Sequence, residues 1–215
     1  MNLLQAAHNR KSGTLSKYAN YFAEYDSHFK EYLDKPIRLI EIGVQGGGSL
    51  SMWKEYFPKA KIVGVDIDDC SRFATEDIQI FRGDQADPKF LTSIPGTFDI
   101  IIDDGGHTMK QQQVSFKHLF PRLNEGGMYV IEDLHTSYWP EFGGGYTTMH
   151  FLKDVIDDMH DWARKSHRAS IFRGRLRHFH REKPSLNNEI RSITFADSIC
   201  FIKKESVGKG QKIKL

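Results

Sequence analysis

The stretch FDIIIDDGGHTMKQQQVSFKHLFPRLNEGGMYVIED, residues 98–133, decides the fold of this chain. It contains two apolar runs, Phe98–Ile102 and Met128–Ile131, with a helical pattern between them. Polar residues follow both runs: Asp103, Asp104, Gly105, Gly106 and His107 after the first, and Glu132 and Asp133 after the second. Parallel strands joined by a helix end at the same edge of a sheet, so we expect these acids and the imidazole to lie together.

Composition and charge exclude several classes of protein. The chain has 215 residues, 39% of them hydrophobic, which suits one α/β domain with a sizeable core. Lys and Arg number 30 against 28 Asp and Glu, so charge does not favour nucleic acid or a membrane as partner. Cys70 and Cys200 form no disulfide framework, and no apolar run has the length of a signal peptide or a membrane span. We therefore expect a cytoplasmic protein.

The remaining patterns extend the strand–helix alternation in both directions. We predict a single domain over residues 1–215 with an α/β fold, a doubly wound and mostly parallel sheet of about seven strands that closes on a C-terminal antiparallel hairpin. The other predicted strands are Ile37–Ile42, Lys61–Ile67, Ile78–Gln85, Ile190–Thr194 and Ser198–Lys203.

Three segments are expected to lie outside this alternation. Residues 1–35 are predicted to form a helical lid, because the pattern over Thr14–Leu33 places aromatic residues on one helical face; a helix that covers the core is the alternative. Residues 146–189 are predicted to be a helical, basic insertion, whose charge run at 164–183 is either a solvated face or a contact for a phosphorylated or polyanionic acceptor. Residues 204–215 are expected to be a tail.

A glycine-rich turn follows the first predicted strand. Residues 43–49 read GVQGGGS and lead into a helical pattern, and Asp66 ends the next strand. Glycines let the backbone approach a ligand, and a helix N-terminus offers free N–H groups. An acid at the end of the second strand is where such folds hold ribose hydroxyls. The arrangement predicts a nucleotide-like cofactor at the strand ends.

Three carboxylates suggest a metal site beside this cofactor. Asp104 ends one strand, and Glu132 and Asp133 end the next. A hard divalent cation such as Mg²⁺ prefers several oxygen ligands and keeps positions open for water or substrate. The alternative is that Asp104 caps the following helix and Glu132 pairs with a lysine.

His107 is the candidate general base. It follows Asp104 by three residues, and a neutral imidazole there can accept the proton of a hydroxyl group held near the cation. His135 is a rival, either as base or as a residue that supports the site.

Five motifs together resemble a known family. EIGVQGGGSLSMW, VGVDID, GDQAD, IDDGGH and VIEDLHTSYW are similar, in order and spacing, to motifs of small class I S-adenosylmethionine-dependent methyltransferases. The resemblance is to the metal-dependent sugar O-methyltransferases of macrolide and aminocoumarin biosynthesis, with relatives called cephalosporin hydroxylase or rhamnosyl O-methyltransferase. It covers roughly Arg38 to Gly144.

The resemblance implies a role for each residue at the strand ends. S-adenosylmethionine would be bound by Glu41, Gly43, Gly46 and Ser49 at its methionine part, Asp66 at the ribose, Asp84 and Gln85 at the adenine, and Asp103 at the amino-acid end. Mg²⁺ would be held by Asp104, Glu132 and Asp133, and His107 would deprotonate the attacking hydroxyl. Resemblance favours His107 over His135.

The expected function is an S-adenosylmethionine- and Mg²⁺-dependent O-methyltransferase acting on a sugar hydroxyl of a glycosylated natural product or polysaccharide. Tyr138 and Trp139 would stack on the sugar or seal the site from water; the alternative is that they pack against a second copy of the chain. A methyltransferase for a phosphorylated or nucleic-acid acceptor and a cofactor-binding, non-catalytic paralogue stay open as alternatives. A nicotinamide dehydrogenase is disfavoured because it would not need the acids that follow the two apolar runs.

Overall fold

A seven-stranded sheet organises the residues that the computed structural model describes, which are 1–160 and 189–206. Its strands are β1 Arg38–Ile42, β2 Lys61–Asp66, β3 Ile78–Arg82, β4 Phe98–Asp103, β5 Leu123–Ile131, β6 Ile190–Ala196 and β7 Ile199–Lys204. Their spatial order is β3-β2-β1-β4-β5-β7-β6. The first five strands pair in parallel, whereas β7 pairs antiparallel with both β5 and β6. The predicted α/β class, the doubly wound sheet and the C-terminal hairpin are confirmed.

Helices cover both faces of this sheet. They are α1 Leu3–Asn9, α2 Ala19–Phe29, α3 Gly48–Tyr56, α4 Pro88–Ser93, α5 Met109–Leu119 and α6 Thr148–Met159. Successive residues of a strand point to opposite faces, and the core is divided accordingly. Ile100 and Ile102 of β4 pack in the core with residues of α1, α2 and α3, whereas Ile101 packs in the core with residues of α4, α5 and α6.

The register of the central strands brings their carboxyl ends level. Ile42 of β1 is paired with Asp103 of β4, and Asp103 is paired with Ile131 of β5. The ladder continues beyond the strands, because the N–H of Asp104 donates to the carbonyl of Ile42 (3.0 Å) and that of Glu132 donates to the carbonyl of Asp103 (3.0 Å). The acids that follow the two strands are thus set side by side by backbone hydrogen bonds.

The N-terminal segment differs from the helix predicted over Thr14–Leu33. The helix begins only at Ala19, and the preceding residues run along the glycine turn. The N–H of Thr14 donates to the carbonyl of Gly46 (3.1 Å), and the N–H of Gly48 donates to the carbonyl of Thr14 (3.1 Å). These bonds replace the helical ones, a tertiary effect that helical periodicity does not reveal.

Parts of the predicted C-terminal segments lie outside the described residues. Helix α6 is observed within the predicted insertion, while the basic run at 164–183 falls in the range 161–188, which the structure does not describe, and most of the predicted tail falls in the range 207–215. In the ranges 1–160 and 189–206, no helix is both long and apolar enough to cross a membrane.

Candidate functional site at the strand ends

A cavity of about 370 Å³ opens at the carboxyl ends of β1, β2, β3 and β4. This volume is in the range of small-molecule sites, and the edge is where doubly wound sheets bind ligands. Five of the residues predicted to bind the cofactor line it: Gly43, Ser49, Asp66, Asp84 and Gln85. Asp104, His107 and Asp133 line it as well, so the predicted cofactor, base and metal residues share one space.

The other three predicted cofactor residues, Glu41, Gly46 and Asp103, do not line the cavity. Glu41 is fully buried, where it accepts hydrogen bonds from Ser49 Oγ (2.7 Å) and Trp53 Nε1 (3.0 Å). Asp103 is also buried, with Oδ1 accepting from Gln85 Nε2 (3.0 Å) and Oδ2 engaged by no donor of the described residues. Gly46 uses its carbonyl to hold Thr14. Their direct contact with a cofactor stays a prediction.

Asp66 fixes the glycine turn. Its Oδ2 accepts from the backbone N–H groups of Val44 and Gln45, each at 2.8 Å, and Oδ1 accepts from Asp68 (2.9 Å). Burial acts to raise the pKa of this carboxyl, but the backbone N–H groups outweigh it and hold the pKa below its usual range. Asp66 is therefore an anion that shapes the turn and lines the cavity.

Gly43 occupies a position that only glycine fits. Its φ is +93°, and a Cβ there would overlap the carbonyl oxygen of Asp104. We expect Gly43→Ala to reduce the free energy of unfolding by about 1–2 kcal/mol through the left-handed backbone and by a further ~1–3 kcal/mol through the overlap. Gly126→Ala is a matched control, since its φ is +75° but a Cβ would meet no atom within 4 Å. Equal losses in denaturant melts of the two variants would contradict this.

The stability of the metal-free protein is expected to fall as the pH rises. Burial raises the pKa of Glu41 to about 7 and that of Asp103 to about 6. Because both values are higher in the folded than in the unfolded chain, folding binds protons, and stability is lost from pH 3.8, the unfolded pKa of Asp103, to about pH 7, the folded pKa of Glu41. Melting temperatures in EDTA should decline over that range, and Glu41→Gln should flatten the decline. A wild-type profile that rises over this range would contradict the assignment.

Asp104, His107 and Asp133 form a compact group of possible metal ligands. One ligand atom of each lies within 4.8 Å of the others. His107 Nε2 is 3.5 Å from Asp133 Oδ2 and 4.0 Å from Asp104 Oδ1. His107 and Asp133 both have a φ of +57°, a strained conformation that is concentrated at functional sites.

Glu132 is adjacent to this group but faces protein donors. It is buried, and its Oε1 accepts from Lys17 Nζ (2.5 Å) and from the Tyr25 hydroxyl. The lysine pairing weighed from the sequence is therefore present. The alternative role of Asp104 as the cap of the following helix is not observed. Thr108 caps α5 through a capping box with Gln111.

The acid cluster consists of Glu41, Asp104, Glu132 and Asp133, and the ammonium of Lys17 contacts three of these four acids. Lys17 Nζ also lies 2.7 Å from Asp104 Oδ2 and 3.8 Å from Glu41 Oε1. Burial alone lowers the pKa of Lys17, but these carboxylates outweigh it and raise the pKa, so the ammonium stays charged. Burial and then Asp104 raise the pKa of Glu132 against the effect of Lys17. Both shifts favour additional positive charge, and the oxygen-rich donor set fits a divalent cation.

The two candidate bases have different surroundings. His107 lines the cavity beside the acids, and its Nδ1 is buried with no hydrogen-bond partner in the described ranges. His135 lies apart, with Nδ1 2.5 Å from Ser198 Oγ and its ring against those of Tyr18 and Trp139. Only His107 is placed to meet a ligand in the cavity.

The aromatic residues after β5 are exposed. Tyr138 is 73% exposed and Trp139 is 46% exposed, and the Trp139 ring lies 5.9 Å from that of Phe142. They do not seal the cavity in this chain, so stacking on an acceptor and contact with another subunit both stay predictions.

Sequence reasoning missed the N-terminal contribution to the site. Thr14, Leu15 and Ser16 line the cavity, and Lys17 enters the acid cluster. Tyr21 adds a hydroxyl that donates to Asp133 Oδ1 (2.8 Å). No local signal identifies these residues, since they fall within the stretch Thr14–Leu33 that the periodicity predicts to be one helix.

Comparisons with known proteins identify a methyltransferase domain in this chain. A family model described as "Methyltransferase domain" matches residues 40–134. The chain is 44% identical over 155 residues to 8-demethyl-8-alpha-L-rhamnosyl tetracenomycin-C 2'-O-methyltransferase of Streptomyces olivaceus, covering 65% of this chain and 41% of that protein. It is 45% identical over 150 residues to Mycinamicin VI 2''-O-methyltransferase of Micromonospora griseorubida, covering 62% and 38%. The chain thus spans about two fifths of the length of these relatives.

A solved structure extends the similarity to nearly the whole chain. MycE methyltransferase from the mycinamycin biosynthetic pathway, in complex with Mg, SAH and mycinamycin VI, superposes with a TM-score of 0.81 at 32% identity. The match covers 98% of this chain and 55% of MycE. The chain therefore has the fold of this methyltransferase, residues 40–134 match a methyltransferase domain, and the chain is similar to the sugar O-methyltransferases of macrolide and tetracenomycin pathways.

Proposed function

We propose that this protein transfers a methyl group from S-adenosylmethionine to a sugar hydroxyl of a glycosylated natural product or polysaccharide, with Mg²⁺ or a similar divalent cation bound beside the donor. The observation that carries the proposal is the shared cavity, which is lined by five of the predicted cofactor residues, by His107 and by the acids Asp104 and Asp133. Relatives named as O-methyltransferases of a rhamnosyl tetracenomycin and of mycinamicin VI support the acceptor class.

The donor would lie along the glycine turn. Asp66 lines the cavity at the end of β2 and would accept from the ribose hydroxyls, while Asp84 and Gln85 would bound the adenine. Ser49 and Gly43 would border the methionine part, next to the helix N-terminus of α3. Asp103 lies behind Gln85 and would set the orientation of that amide.

The cation would be held by Asp104, Glu132 and Asp133. When bound, it would lower the pKa of an acceptor hydroxyl and fix the position of its oxygen. Each of these carboxylates uses one oxygen for a protein donor: Asp104 Oδ2 for Lys17, Glu132 Oε1 for Lys17 and Tyr25, and Asp133 Oδ1 for Tyr21. The second oxygen of each is not used by these bonds.

His107 would remove the proton of the acceptor hydroxyl. Its Nε2 faces Asp104 and Asp133, so a hydroxyl held between these acids is within reach of the imidazole. The oxygen would then attack the donor methyl group as the bond from sulfur to that carbon breaks, and the remaining acceleration would come from holding both reactants in line.

The test is methyl transfer from labelled S-adenosylmethionine to a panel of rhamnosyl and other deoxysugar glycosides. We expect product with Mg²⁺, loss of product in EDTA, and recovery when Mg²⁺ is added back. Product formation that EDTA does not reduce would overturn the metal-dependent part of the proposal. A failure to bind S-adenosylhomocysteine in calorimetry would overturn the donor assignment.

A further inference from the structure

Lys17 brings a buried ammonium from the N-terminal segment into the acid cluster. Its side chain is 1% exposed, and its nitrogen contacts Asp104 Oδ2 at 2.7 Å and Glu132 Oε1 at 2.5 Å. A lysine is almost never fully buried unless it is paired, so this contact is a specific feature of the fold. The roles predicted for Asp104 and Glu132 as cation ligands do not by themselves explain why a buried lysine contacts both of them.

The path of the segment fixes where this ammonium lies. Thr14 bonds to the glycine turn through both its backbone N–H and its backbone carbonyl. Because α2 begins at Ala19, the backbone is anchored shortly before and shortly after Lys17, which restricts the position of its side chain. The hydroxyl of Tyr25, one of the buried residues of α2, binds the same oxygen of Glu132. The donors around Glu132 are therefore held by the backbone and by the core.

The bonds of Lys17 leave one oxygen of each acid for another partner. They use Asp104 Oδ2 and Glu132 Oε1, whereas Asp104 Oδ1 faces His107. Donors that hold one oxygen of a ligating carboxylate orient the other oxygen and are part of many metal sites. One positive charge also reduces the repulsion among Asp104, Glu132 and Glu41, which would otherwise oppose their approach.

We propose that Lys17 is a positioning residue of the divalent-cation site, which holds Asp104 and Glu132 as one-oxygen ligands and stays in place when the cation binds. This inference rests on the proposed function, because it assumes that the acids bind a cation. It extends that function by assigning to the N-terminal segment a part in metal affinity. The competing account is that Lys17 occupies the position of the cation and has to leave before a cation binds.

The experiment is a titration of the full chain with Mn²⁺ alone, followed by the electron paramagnetic resonance signal of free Mn²⁺. We expect Lys17→Met to weaken Mn²⁺ binding by about 10–100-fold and Lys17→Arg, which keeps the charge, to weaken it less. Lys11→Met is the matched control, because Lys11 lies in the same segment but is 84% exposed and pairs with Glu55. That variant should bind Mn²⁺ as the wild type does.

Tyr25→Phe keeps the inference testable if Lys17→Met does not fold, since it removes the other donor to Glu132 and leaves the charge. We expect it to weaken Mn²⁺ binding up to about tenfold. In methyl transfer, Lys17→Met should raise the Mg²⁺ concentration for half-maximal rate and recover at saturating Mg²⁺, which a general loss of structure would not do.

Three results would overturn the inference. Lys17→Met that binds Mn²⁺ more tightly than wild type would favour the competing account. Lys17→Met that binds Mn²⁺ as tightly as wild type would show that Lys17 does not support the site. If Lys17→Met does not fold, the same result with Tyr25→Phe would show that the donors to Glu132 do not support it. Wild-type protein that does not bind Mn²⁺ at all would overturn the metal-dependent part of the proposed function as well, so the two failures are distinguishable.

Discussion

Replacing His107 with asparagine is expected to slow methyl transfer by about 10²–10⁴-fold, the usual contribution of a general base. Asparagine is the suitable replacement because residue 107 has a φ of +57°, which asparagine tolerates better than most residues. Binding of S-adenosylhomocysteine should change little, because His107 borders the cavity on the side of the acids. The measurement is the turnover number at saturating donor and Mg²⁺, together with calorimetry of S-adenosylhomocysteine.

His135→Asn is the matched control for this prediction. His135 lies beside Ser198, Tyr18 and Trp139 and does not line the cavity, so its loss should leave the turnover number within a few-fold of wild type. If His135→Asn abolished turnover and His107→Asn did not, the assignment of the base would have to be exchanged.

Replacing Asp104 with asparagine is expected to reduce methyl transfer by about 10²–10³-fold, because charge stabilisation by a bound cation is worth several kcal/mol. The variant keeps the shape of the side chain but removes a charge that faces both Lys17 and His107. It should also weaken Mn²⁺ binding strongly, while S-adenosylhomocysteine still binds.

Asp84→Asn gives the opposite pattern and serves as its control. Asp84 lines the cavity on the side of β3 and is not a member of the acid cluster. We expect weaker binding of S-adenosylhomocysteine with unchanged Mn²⁺ binding. If Asp104→Asn and Asp84→Asn each lost binding of both S-adenosylhomocysteine and Mn²⁺, the division of the cavity into a donor side and a cation side would be contradicted.

The central sheet could be predicted from the sequence because its strands are buried on both faces. Such strands appear as continuous apolar runs, and the acids that follow them mark the ends that meet at one edge. For that reason Asp66, Asp104 and His107 could be assigned to one cavity before the structure was known, and all three line it. Backbone hydrogen bonds between neighbouring strands continue past Asp103, which explains why the acids at the ends of β4 and β5 lie side by side.

The contribution of the N-terminal segment could not be predicted in this way. Lys17 precedes a helix whose aromatic face continues the same periodicity, so the pattern gives no sign that residues 14–18 are extended. Their path depends on pairing with the glycine turn, which is a contact between residues far apart in the sequence. The same limit applies to Glu132, whose burial against Tyr25 and Lys17 is decided by α2 and the segment before it.

The most direct test of the account is a crystal structure of the protein with S-adenosylhomocysteine and Mn²⁺, with the ion located by its anomalous signal. We expect the nucleoside along the glycine turn with Asp66 at the ribose. We also expect the ion within about 2–2.5 Å of one oxygen each from Asp104, Glu132 and Asp133, with Lys17 still bound to the first two acids. An ion bound away from Asp104, or S-adenosylhomocysteine outside the cavity, would contradict it.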